Sequence, residues 1–182
     1  MIRFALVLAI ASCSSHGNDK KVTMSTNECR AAVEAFASGD PKRLRGLPAN
    51  CSLDDIRELI DPQRSYPSSL GDPGTGYNVH EIKGTKAMAW IKSNRVALLH
   101  ANEPSHAEAD YLAALGPPEA KLDFTWQDTV RPNSDLLWLA KGISLASSPD
   151  FKGVLRVAVF APTTLDEYKR SLRYFDVSRD IE

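Results

Sequence analysis

The chain alternates twice between a capped helix and a series of short strands, and this order of elements restricts its fold more than any other feature. Ser52-Leu-Asp-Asp55 has the spacing of a capping box and predicts a helix that ends before Pro62. Apolar segments bounded by polar turns then predict three strands, at 77–82, 86–92 and 95–101. Short consecutive strands of this kind pair antiparallel, so we expect an α+β domain with helices packed on one face of an antiparallel sheet.

The same order returns in the second half of the chain. Ser105-His-Ala-Glu108 predicts a second capped helix, which the Gly-Pro-Pro sequence at 116–118 should end. The strands predicted after it lie at 122–128, at 136–146 as one long strand or two short ones, and at 154–161. A final helix is predicted at 164–175, opened by the cap Thr164-x-x-Glu167.

Two comparisons within the chain suggest tandem units at 52–101 and 105–161, each a helix with about three strands. The first helix cap lies 53 residues before the second, and the strand segment 96–101 lies 58 residues before 154–159. Leu70-Gly-Asp-Pro73 aligns instead with Leu115-Gly-Pro-Pro118 at a separation of 45 residues, which disagrees with the separations of 53 and 58 residues. Chance similarity between two helix–sheet stretches is therefore the alternative to a true repeat.

The first twelve residues predict an export signal. Arg3 precedes an apolar run at 4–11, which is the order of a charged and a hydrophobic region in such signals. As a helix, this run would extend about 12 Å, well short of the roughly 20 residues that span a bilayer. The polar stretch 13–24 then predicts a flexible tether, and 25–182 a single α+β domain that begins at a Ser25-x-x-Glu28 helix cap.

The end of the signal, Ile10-Ala11-Ser12-Cys13, resembles the lipobox of bacterial lipoprotein precursors. The resemblance implies cleavage between Ser12 and Cys13 and attachment of lipid to Cys13, which would hold the protein on a membrane. Ser14 in the next position implies sorting to the outer membrane. An ordinary secretory signal, or a wrongly assigned start, followed by a chance cysteine is the alternative interpretation.

The two remaining cysteines, Cys29 and Cys51, predict a disulfide. An even pair of cysteines in an exported chain usually forms a bridge, and Cys29 lies on the apolar face of the helix expected after Ser25. Closing the intervening loop contributes about 3 kcal/mol in the chain-entropy estimate. Two unpaired buried thiols are the alternative.

The sequence shows no recognisable catalytic or metal site. The chain has 22 basic and 23 acidic residues and a net charge of −1, so no basic surface indicates nucleic acid as a partner. None of its four histidines has metal-ligand spacing, and no Gly-x-Ser-x-Gly motif occurs. The glycine-rich segment 71–76 lacks the lysine of a phosphate-binding loop. We therefore expect no metal, no cofactor and no catalytic residue; an enzyme with a dispersed site is the alternative.

Trp90 and Trp138 are the candidate partner-binding residues. Each lies on a predicted strand that has apolar residues on both faces, which leaves one of them available as an exposed anchor. Packing in the core is the alternative. We expect a lipid-anchored module whose sheet binds an envelope or secreted protein; a small-ligand or lipid carrier would instead need a cavity between sheet and helices.

Residues 111–162 also carry a distinctive order of motifs: a helix, Leu115-Gly-Pro-Pro118, Trp126, Leu137-Trp138 and Val154-Leu-Arg-Val157. This order is similar to the helix-plus-sheet unit of the small outer-membrane lipoproteins of the barrel-assembly machinery. It is similar as well to the unit found in tandem in secreted β-lactamase inhibitor proteins. The resemblance implies a sheet surface that binds another protein. Residues 122–172 further resemble a family of bacterial exported proteins, a likeness that implies no function.

Overall fold

The computed structural model describes residues 18–67, 76–124, 132–150 and 153–172, with side chains from residue 26 onward other than Tyr66. These residues form four helices: α1 (Asn18–Ala37), α2 (Leu53–Ile56), α3 (Glu108–Leu115) and α4 (Leu165–Glu167). A π-helical turn at Tyr168–Leu172 continues α4. The same residues form eight strands: β1 (Ile60–Pro67), β2 (Asn78–Ile82), β3 (Met88–Lys92), β4 (Arg95–Asn102), β5 (Ala120–Phe124), β6 (Asn133–Trp138), β7 (Ile143–Ser148) and β8 (Gly153–Phe160).

The strands form one open antiparallel sheet in the order β1-β2-β3-β4-β8-β7-β6-β5. Each half of the chain is a four-stranded meander, and the last strands of the two meanders, β4 and β8, pair at the centre. The predicted α+β fold with an antiparallel sheet is therefore confirmed. Each half has four strands, where about three were expected.

The two halves share an irregularity as well as an order of elements. β4 bulges at Ala97, because Ile91 pairs with Val96 while Trp90 pairs with Leu98. β8 bulges at Leu155 in the same way against β7. The two bulged residues lie 58 residues apart, which is the spacing of one of the two alignments made from the sequence. The competing alignment uses residues 70–73, which lie outside the described residues.

The sheet buries apolar side chains on both faces. Helices α1, α2 and α3 cover one face, the helix face, where Val33, Phe36, Ile56 and Tyr111 pack in the larger core cluster. The π-helical turn lies on the opposite face, where Tyr168 packs in a smaller cluster. Helices on one face were expected; α1–α3 follow that expectation, whereas the C-terminal helix covers part of the other face.

The Cys29–Cys51 disulfide is present and ties α1 to the segment before α2, with Cα atoms 5.3 Å apart. Both cysteines are buried. Next to the bridge, the Thr26 hydroxyl donates to Asp55 at 2.8 Å. The bridge and this hydrogen bond together hold α1 against α2.

Helix starts agree with the predicted caps at two sites and differ at two. Ser52 accepts a hydrogen bond from the Asp55 N–H, and Thr164 accepts one from the Glu167 N–H, as predicted. Helix α1 begins at Asn18 and not at the predicted Ser25 cap, so residues 18–24 are helical; no proline or glycine interrupts 18–24. Helix α3 begins after Ala107 and not at Ser105, because the Asp110 carboxylate accepts the Ala107 N–H at 3.1 Å.

The hairpin expected at 93–94 joins β3 to β4, and both of its residues have positive φ, as a tight hairpin turn requires. The stretch 136–146 forms two strands, β6 and β7, separated by a turn that ends at Gly142 with φ 65°. The helix expected up to Pro62 ends early, and β1 begins at Ile60 with the proline inside it. An edge strand tolerates proline, because one side of its backbone needs no partner.

Candidate functional site

Both tryptophans that the sequence offers as partner anchors are buried. Trp138 is 1% exposed, and its indole N–H donates to the Gly116 carbonyl at 3.0 Å. Trp90 is 3% exposed and lies edge-on to Tyr77 with ring centroids 6.4 Å apart. Both side chains therefore pack in the core, which was the alternative interpretation, and neither is exposed to a partner.

The described histidines lie apart from one another and serve local contacts. His80 in β2 is half-buried, and burial lowers its pKa. His100 in β4 has its Nε2 atom 2.6 Å from the Asn102 side-chain oxygen. His106 lies 3.6 Å from the Asp110 carboxylate, at the start of α3. Within the described ranges, no group of three or more His, Cys, Asp or Glu side chains is placed to hold a metal ion.

A buried polar row crosses the sheet on the face opposite α1–α3. Arg156 on β8 lies 3.5 Å from Asp135 on β6, with 14% and 0% of their side-chain surfaces exposed. His100, Ser144 and Arg156 line a void of about 10 Å³ beneath the π-helical turn. Such a void admits about one water molecule, so this row has no room for a substrate. Sequence reasoning missed the row, because polar residues inside a strand do not by themselves show which face is covered.

The helix–sheet cleft is a space of about 170 Å³ between the end of α1, helix α3 and the sheet. Its floor is formed by apolar and aromatic side chains: Phe36, Ala87, Ala101, Tyr111 and Val157. Its rim is polar and charged: Thr85, Lys86, Asn102, Glu103 and Ser105. The space exists because alanines stand at position 87, directly before β3, and at position 101 on the neighbouring strand β4, where larger residues would fill it.

Tyr111 supplies the buried polar group of this cleft. Its side chain is 1% exposed, and its ring meets the His106 ring edge-on at 6.4 Å between centroids. Burial, with a smaller contribution from the neighbouring Asp110 charge, raises its pKa to about 12. A phenol is protonated at pH 7 with or without this shift, so the hydroxyl carries a proton to donate. Its hydroxyl forms no hydrogen bond with any residue that the structure describes.

The loop 102–107 separates the helix–sheet cleft from a second, more open space. This outer cleft measures about 550 Å³ and lies between the loop and the start of β8. Glu103 has a φ of 45°, a left-handed conformation that is uncommon for residues other than glycine. Its N–H donates to the carbonyl of Leu155, the bulged residue of β8, at 2.9 Å. The bulge therefore holds the loop in a strained backbone conformation, a state found often at functional sites.

A third space, of about 760 Å³, lies between α1 and the segment 44–49. The Leu47 N–H donates to the Phe160 carbonyl at 2.9 Å, which fixes this segment to the end of β8. Arg45 and Lys141 lie at its exposed border with Glu28. In contrast to Tyr111 in the helix–sheet cleft, none of these three side chains is buried.

No protein-family model, no curated protein and no solved structure matches this chain.

Proposed function

We propose that the chain is a lipid-anchored, non-enzymatic module of the bacterial cell envelope that binds another protein through the loop 102–107 and its two clefts. Lipid on Cys13 attaches it to the outer membrane, and the partner is an envelope or secreted protein. The lipobox resemblance supports the anchor; Cys13 itself lies outside the described residues. Among the described helices, none combines the length and apolar character needed to cross a membrane.

The observation that carries the binding role is the strained, exposed loop between two clefts. Glu103, Ser105 and Ala107 are exposed along it, while the Glu103 N–H holds it to β8. A loop that is fixed before binding loses little conformational entropy when a partner docks. Loops positioned by a rigid scaffold are also the parts of a fold that most often carry binding residues.

The proposed anchor keeps this surface close to the membrane. Four residues separate Cys13 from the first residue of α1, and α1 reaches Thr26 two turns later. Extended chain and helix of these lengths keep Thr26 within about 30 Å of Cys13. Phe36, which lines the cleft, lies about 15 Å further along α1, so the proposed anchor keeps the cleft and its partner within about 45 Å of the membrane.

The position of the cleft also favours a second candidate, a small-ligand carrier. The helix–sheet cleft lies between the sheet and the helices, where such a carrier would hold its cargo. Its volume of about 170 Å³ is below the 300–1,000 Å³ typical of pockets for larger ligands, which argues against a lipid as cargo. Native mass spectrometry of protein purified from its own cells would detect a carried ligand as added mass.

The binding role can be tested by affinity capture with matched variants. Wild-type protein, Ser105→Arg and Ser65→Arg would each be immobilised and exposed to solubilised envelope proteins. Ser65 is an exposed control in the edge strand β1, while Ser105 lies in the loop. We expect a specific protein to be retained by wild type and Ser65→Arg but lost with Ser105→Arg. Retention that is equal for all three proteins would contradict the proposed surface.

The anchor requires a separate experiment. Protein with Cys13→Ala should move from the membrane fraction to the soluble fraction of the envelope. Mass spectrometry of the wild-type N-terminus should show a residue 13 that begins the chain and carries acyl groups. An unmodified Cys13 that still follows residues 1–12 would refute the lipoprotein interpretation.

A further inference from the structure

We propose that the helix–sheet cleft receives one tyrosine side chain of the partner protein, with the partner's phenol hydrogen-bonded to the hydroxyl of Tyr111. The proposal rests on the proposed function, because it names the chemistry of the group that enters the binding surface.

The size of the cleft selects a single ring. A dry apolar cavity of about 150 Å³ in another protein accommodates benzene, and the helix–sheet cleft measures about 170 Å³. One six-membered ring fits that volume. Phe36, Ala87 and Val157 on the floor supply the apolar contacts for the faces of the ring.

The hydroxyl of Tyr111 selects a ring that carries a polar atom. Tyr111 is 1% exposed, lines the cleft and forms no hydrogen bond with a described residue. A purely apolar group entering the cleft would remove this hydroxyl from water without replacing its hydrogen bond, which is costly. The oxygen of a phenol can accept a hydrogen bond from the Tyr111 hydroxyl. A tyrosine ring would therefore both contact the apolar floor and supply the missing hydrogen-bond partner.

The rim favours a side chain that belongs to a protein. Thr85, Asn102 and Ser105 place hydroxyl and amide groups around the entrance, where the backbone on either side of an inserted side chain would lie. Lys86 and Glu103 are exposed beside them and form no ion pair in the part of the chain that the structure describes. Tyrosine is also among the residues that most often dominate binding energy at protein interfaces.

The experiment uses two probes that differ by one hydroxyl group: p-cresol, which is the side chain of tyrosine, and toluene, which is the side chain of phenylalanine. Each is titrated into the oxidised full chain while amide NMR signals are followed. We expect p-cresol to shift the amides of Ala87, Ala101 and Tyr111 and to bind about tenfold more tightly than toluene. In Tyr111→Phe the preference for p-cresol should be lost or reversed, because the hydroxyl of p-cresol would then enter the cleft without a hydrogen-bond partner.

Two alanine variants serve as a matched pair. Ala101→Leu fills the cleft and should abolish binding of both probes, whereas Ala113→Leu, on the exposed side of α3, should leave both unchanged. Equal affinity of p-cresol and toluene for the wild type would overturn the inference, as it would show that water already satisfies Tyr111. That comparison needs no variant and stays decisive even if Tyr111→Phe folds poorly.

The p-cresol comparison and the capture experiment that tests the proposed function can fail independently of each other. Capture that depends on Ser105 without any preference for p-cresol would refute this inference and leave the binding module standing. A p-cresol preference without Ser105-dependent capture would refute the protein partner and with it the source of the tyrosine.

Discussion

Removing the Cys29–Cys51 bridge should lower the free energy of unfolding by about 3.4 kcal/mol. This value is the entropy of closing a loop with a sequence separation of 22 residues at 25 °C. In a domain of this size it corresponds to a fall in melting temperature of about 7–14 °C. The double substitution Cys29→Ala and Cys51→Ala removes both sulfur atoms from buried positions without placing a new polar group there.

The variant should still fold, because other contacts also attach α1. Val33 and Phe36 remain packed against the sheet in the larger core cluster. The Thr26–Asp55 hydrogen bond contributes about 2 kcal/mol, and water screens the exposed Arg30–Glu58 ion pair, so these contacts do not replace the bridge.

The assay is urea denaturation of wild type and double variant, followed by far-ultraviolet circular dichroism. Wild type treated with a reductant should lose about as much stability as the variant has lost, whereas the variant should not respond to the reductant. A difference below about 1 kcal/mol between oxidised wild type and variant would refute the reasoning, since the loop would then already be closed in the unfolded chain.

Two further predictions concern a backbone contact and a titration. Gly142→Ala should destabilise the protein by at least 2 kcal/mol in the same urea assay, because a Cβ atom there would lie 2.1 Å from the Phe160 carbonyl oxygen. Gly84→Ala is the control: this glycine has a φ of 72° and open space around it, so the substitution should cost only about 1 kcal/mol. The pKa of Tyr111 is raised to about 12 in the folded chain, so the unfolded chain ionises first and stability should fall as pH rises from about 10 toward 12. Urea midpoints measured across that range should fall less steeply for Tyr111→Phe, and equal slopes would contradict the buried phenol.

Much of the fold could be predicted from the sequence, because its signals are local. The caps at Ser52 and Thr164 follow from side chains that reach their own backbone three residues away. The hairpin at 93–94 follows from a polar pair between two apolar segments. The Cys29–Cys51 bridge follows from an even count of cysteines in a chain with an export signal.

The elements that prediction missed depend on partners distant in sequence. β1 carries Pro62, Gln63, Arg64 and Ser65 in exposed positions, so it shows no apolar alternation and is a strand only through pairing with β2. Burial of Trp90 and Trp138 could not be decided from strands with two apolar faces. Which face is covered depends on where α3 and the π-helical turn pack.

The candidate site could not be predicted for the same reason. Ala87, Ala101 and Tyr111 are unremarkable residues in their own segments, and only the pairing of β3 with β4 and the packing of α3 bring them around one space. The positive φ of Glu103 depends on a bulge in β8, more than fifty residues later in the chain. No local motif marks either feature.

Binding of a protein by the loop 102–107 and the helix–sheet cleft is best tested in the cell. The most direct measurement places a photo-crosslinking amino acid at position 105, or at position 65 as the control, in cells that make the full chain. We expect one specific adduct from position 105 that disappears with Ala101→Leu, persists with Ala113→Leu and is absent from position 65. Adducts that form equally from both positions, or that are indifferent to Ala101→Leu, would contradict it.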